Sequence, residues 1–71
     1  MDEWSRIVLE EYCATHKSAK SRRIGKLVEM TYDMFCEPTD SDAIFLEKAI
    51  DQETDEERKN ALIDLNDFLF Q

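Results

Sequence analysis

Cys13, His16 and Cys36 are the only thiol and imidazole groups in this chain, and the Cys13-x-x-His16 spacing puts the first two on one face of a helix. That pair could begin a zinc site. A closed zinc site wants four ligands, so a carboxylate would have to complete it; the three residues read instead as two buried thiols and a surface histidine. A Cys13–Cys36 disulfide is not expected, because an antiparallel hairpin would hold the two residues about 15 Å apart. Asp51-x-Glu53-x-Asp55 opens like a calcium loop, but Glu56 stands where a glycine is needed and Leu62 where a bidentate glutamate is needed. There is no Gly-x-Ser-x-Gly elbow and no His-Glu-x-x-His pair, and a single glycine makes a phosphate-cradling loop a poor fit. The reading is of a protein that is not an enzyme, with no catalytic residue, no cofactor and no metal.

Charge is the stronger signal. Lys17, Lys20, Arg22, Arg23 and Lys26 crowd into residues 16–26 of a chain whose formal net charge is −8. Residues 1–36 balance six acids with six bases, whereas residues 37–71 set eleven acids against Lys48, Arg58 and Lys59. Such a field repels nucleic acid and anionic membranes and favours basic partners. The basic cluster contains no aromatic residue for base stacking, so no direct nucleic-acid binding is expected. It reads as the electrostatic complement of residues 37–57, in the same chain or in a second copy, setting how helices pair.

The elements that must carry these residues read as helices throughout. Apolar residues at 4, 7, 8 and 12 predict a helix over about 2–15, with a Trp4/Val8/Tyr12 stripe. Ile24, Leu27, Val28, Thr31, Met34 and Phe35 predict a second over about 20–36, antiparallel to the first and ended by Pro38. Phe45, Leu46, Ala49 and Ile50 predict a third over about 41–52, capped by Thr39, Asp40 or Ser41. Ala61, Leu62, Leu65, Phe68 and Leu69 predict a fourth over about 55–70, opened by a Thr54-x-x-Glu57 capping box unless 41–70 is one long helix. The fold class is therefore all-α: a single small domain over 1–71 of three or four short helices, assembled as a dimeric bundle.

Two short segments resemble known motifs. Ser41, in Thr-Asp-Ser-Asp-Ala-Ile-Phe-Leu-Glu, resembles the phosphopantetheine serine of acyl carrier proteins, yet Asp42 follows where that family has Leu or Ile. Ser41 therefore reads as a helix cap. Leu62-Ile63-Asp64-Leu65-Asn66 resembles the clathrin-box peptide, but its apolar residues fall on a helical stripe and read as core.

Seventy-one residues enclose only a small core, and the second and fourth helices carry apolar residues beyond one face, which points to an interface. The expected function is that of an acidic helical regulator, an adaptor or inhibitor that occupies a surface of another protein, as is common in phage and mobile elements. The expected partners are that protein and a second copy of the chain, with no membrane; the expected location is cytoplasmic, since the N-terminus has no signal-peptide pattern. Candidate protein-binding residues are Lys17, Lys20, Arg22, Arg23, Lys26, Met30, Tyr32, Ile63 and Phe70. The alternative is nucleic-acid mimicry, with Asp51, Glu53, Asp55, Glu56, Glu57, Asp64 and Asp67 imitating phosphates to block a DNA- or RNA-binding protein.

Overall fold

The computed structural model describes residues 1–33 and 36–70. These form four helices, α1 (Glu3–Thr15), α2 (Ala19–Met30), α3 (Asp40–Gln52) and α4 (Glu56–Phe70), with no strand among the described residues. The helices gather round Leu9, Ile24, Leu27, Val28, Leu46, Ala49, Ala61, Leu62 and Leu65. A Cα radius of gyration of 10.9 Å matches the about 11 Å expected of a compact chain this long. No helix among the described residues is long and apolar enough to cross a membrane.

α1 is the central element, packing on both α2 and α4, while α3 packs on α4. Cys13 late in α1 donates its S–H to the Ser21 carbonyl early in α2 (3.1 Å), and Arg6 early in α1 reaches Tyr32 just past the end of α2. The two helices therefore run antiparallel. The α1/α4 pair does the same: the Asp2 N–H donates to Asp64 Oδ2 (3.0 Å), and Tyr12 meets Arg58 near the start of α4.

Local chemistry explains the ends. Ser18 and Ser21 form a reciprocal capping box at the start of α2, and Thr39 and Asp42 form another at the start of α3. Thr39 is thus the cap, and Ser41 lies inside the helix. Residues 40–52 and 56–70 are two helices, because Glu53 leaves helical angles and its carboxylate accepts the N–H groups of Thr54 and Asp55 (both 3.1 Å). Asp55 then caps α4 by accepting the Arg58 N–H (3.1 Å). The expected Thr54/Glu57 box is replaced by this arrangement one residue later.

Four further expectations are corrected. α2 stops at Met30, well before Pro38: Thr31 donates its hydroxyl to the Val28 carbonyl (2.6 Å), and its N–H closes a tight turn on the same oxygen. The β-branched Thr31 and aromatic Tyr32 are weak helix formers, so a turn competes well there. Met34 and Phe35, assigned to the second helix, lie outside the described residues, while Thr31 is half-buried and Cys36 is exposed rather than buried. On α1 the core arc is Ser5 and Leu9, flanked by half-buried Val8, Tyr12 and Cys13; Trp4 is 58% exposed. On α4, Phe68 is 49% exposed, while Ala61, Leu62 and Leu65 are buried as expected.

Candidate functional site

The basic cluster divides when folded. Among the described residues only Arg23 of the cluster pairs with the acidic half: its guanidinium donates to Asp42 Oδ1 (3.2 Å) and to the Ser41 hydroxyl (3.0 Å), and stands over the Phe45 ring at 4.5 Å. Asp42 also accepts the Thr39 N–H (2.9 Å); this bond, followed by the Arg23 contact, holds its carboxyl below the usual carboxylate range against the opposing effect of burial. Arg22 and Lys26 are exposed and make no ion pair among the described residues. Together with Arg23, Leu27, Met30, Thr39 and Asp42 they line a shallow groove between α2 and the start of α3. Lys20 lines a separate depression with Phe45 and Lys48, and Lys17 is exposed in the α1–α2 linker.

The apolar candidates do not converge. Tyr32 lies under Arg6 in the turn after α2, Phe70 lines a depression with Glu47 and Asp51, and Ile63 is outside these grooves. The seven acids of the mimicry alternative also separate by role. Glu53, Asp55 and Asp64 hold the fold, through Arg58 (3.5 Å from Glu53), the α4 cap and the Asp2 N–H. Asp51, Glu56, Glu57 and Asp67 are exposed.

A second groove was not foreseen. It runs along the outer arc of α1, from Trp4 through Ile7, Val8, Glu11 and Tyr12 to Thr15, and is walled on the far side by Asp55, Glu57 and Arg58. Ile7, 44% exposed, continues the apolar surface of Trp4, while Glu11 and Glu57 are exposed acids with no ion pair among the described residues. The Arg58 guanidinium stands 5.1 Å from the Tyr12 ring centroid, tied to Glu53 and, at 3.9 Å, to Asp55. The Tyr12 ring also stacks on that of His16, with centroids 4.5 Å apart.

One sequence signal could have found this groove. Glu11 lies seven residues after Trp4, within about 20° of it on a helical wheel, so the Trp4 arc carries a charge. The Ser5–Leu9–Cys13 arc carries none and is the better core face.

The groove has neither a convergent nucleophile and base nor a deep enclosure. Among the described residues, no three His, Cys, Asp or Glu side chains are grouped to hold a metal ion. What it offers is contact area with a charged rim. Comparison with protein-family models, curated proteins and solved structures found no match to this chain.

Proposed function

We propose that the chain is a small acidic protein-binding regulator, an adaptor or inhibitor that acts by occupying a surface of a partner protein. The observation that carries this reading is the grouping of Trp4, Ile7, Tyr12 and Arg58 along one α1/α4 groove. Tryptophan, tyrosine and arginine are the residue types that contribute most at protein interfaces, and an apolar centre with a polar rim is the usual anatomy of such a contact. An exposed tryptophan adds nothing to the core of so small a protein, so its placement fits a contact made outside it.

The test is a double variant, Trp4→Ala with Ile7→Ala, compared with the unaltered chain in melting and in capture of its partner from the cell that makes it. Stability should change by about 1 kcal/mol or less, because both side chains are roughly half exposed and neither belongs to the buried core. Capture should fall at least tenfold, the scale of a lost interface hot spot. Undiminished capture by the variant would overturn this site. If that capture also weakened steeply with added salt, charge mimicry by the exposed acids would take its place.

A further inference from the structure

We infer that the occupant of the α1/α4 groove is a basic amphipathic helix, one that presents an apolar stripe flanked by lysine or arginine; this rests on the protein-binding reading above. The apolar floor runs from Trp4 through Ile7 and Val8 to Tyr12 on successive turns of α1. From Trp4 to Thr15 the groove spans about 16 Å, or three helical turns, so a partner helix of similar length can lay its apolar stripe along it. Regularly spaced anchors along a straight rod suit a helical partner better than a flat surface.

The sign of the partner follows from the rim. Glu11 lies on α1 in line with Trp4, Glu57 belongs to α4 across the groove, and neither has an ion pair among the described residues. Among the described residues the one cation lining the groove, Arg58, is already held by Glu53 and Asp55. It also shows what the groove does with a guanidinium: it seats the group over the Tyr12 ring beside carboxylates. Beyond the rim, the net charge of −8 draws a basic segment in and repels an acidic one.

Trp4 is the chain's only tryptophan, so its emission reports occupancy of this groove directly. The probes are synthetic helical peptides of about four turns with leucine along one stripe and lysine on both flanks. One twin carries glutamate in place of lysine, one carries serine, and one scrambles the lysine peptide so that its stripe is lost. The lysine peptide should shift Trp4 emission to the blue and saturate, while the glutamate and scrambled twins should not. Glu11→Lys with Glu57→Lys should weaken it by about tenfold or more, and Glu11→Gln with Glu57→Gln should weaken it less, with both variants still folded by melting. A serine or glutamate twin that binds at Trp4 as tightly as the lysine peptide would overturn the basic occupant while leaving the groove a docking site. Equal binding by the scrambled peptide would overturn helix seating in favour of unspecific attraction. No response at Trp4 to any of the peptides would overturn the groove itself, and with it the reading on which this inference rests.

Discussion

Three of the chain's four arginines each cross from one element to another and stand over an aromatic ring: Arg6 over Tyr32, Arg23 over Phe45 and Arg58 over Tyr12. None of the five lysines makes an ion pair among the described residues. A planar guanidinium can stack and donate in a fixed fork at once, whereas an ammonium is a strongly hydrated point charge that gains little by leaving water. Arg22 and Arg23 are neighbours in sequence with different tasks, and substitution separates them. Arg23→Glu should lower stability by about 1 kcal/mol, combining an exposed ion pair with a cation–π contact, and added salt should recover part of the loss. Arg22→Glu should leave the melting curve unmoved. Urea unfolding of the two variants at low and high salt decides it; equal losses would mean that the whole cluster, and not Arg23, complements the acidic half.

At the scale of the element, helix ends are fixed by side chains that stand where the backbone runs out of partners. α3 begins where Thr39 and Asp42 exchange hydrogen bonds, and Asp42 then anchors Arg23 of α2 as well. The Asp42 carboxyl is held below its ordinary pKa when folded, so its contribution is fully present above the usual carboxylate range and fades as pH falls through the folded value. The stability gap between the unaltered chain and Asp42→Asn should therefore be largest near neutrality, about 1 kcal/mol as for other helix caps, and should close in acid. Denaturant titrations at about pH 7 and about pH 2 measure it. A gap that is the same at both would show that the carboxylate's charge is not what holds this helix start.

For the whole molecule, the open question of assembly turns on exposed apolar surface. Trp4, Ile7, Tyr32, Ile44, Ile63, Phe68 and Phe70 are all at least a third exposed, spread over several faces. Self-association through the second and fourth helices was expected because both carry surplus apolar residues. α2 ends at Met30, which packs against the core, so its share of that surplus is smaller than the sequence implies. α4 keeps Ile63, Phe68 and Phe70, and a second copy meeting this end of α4 is the form of dimer we expect. Sedimentation at micromolar concentration should show a dimer that Phe68→Ser with Phe70→Ser returns to monomer. A chain that sediments as a monomer before any substitution would remove the dimer and leave those side chains to a different partner.

Much of the fold was legible in the residues. The absence of turn dipeptides, the apolar spacing of about 3.6 and the polar breaks within 15–21 and 37–42 pointed to an all-helical chain. The same periodicity placed Ile24, Leu27, Val28, Leu46, Ala49, Ala61, Leu62 and Leu65 in the core, where they are found. In α2, α3 and α4 the apolar residues at helical spacing concentrate on one arc, which sets the core face, although α2 and α4 carry further apolar residues outside it. α1 is different. Trp4, Ile7, Val8, Leu9, Tyr12 and Cys13 cover well over half its circumference, so its period announces a helix but leaves open which arc turns inward. The packing of α2 and α4 on either side selected the Ser5/Leu9 arc and left Trp4 and Ile7 about half exposed, and the candidate groove exists because of that choice. Which bases pair was equally undetermined: surface charges differ by fractions of a kcal/mol among many partners, so only the placement of α3 against α2 singled out Arg23.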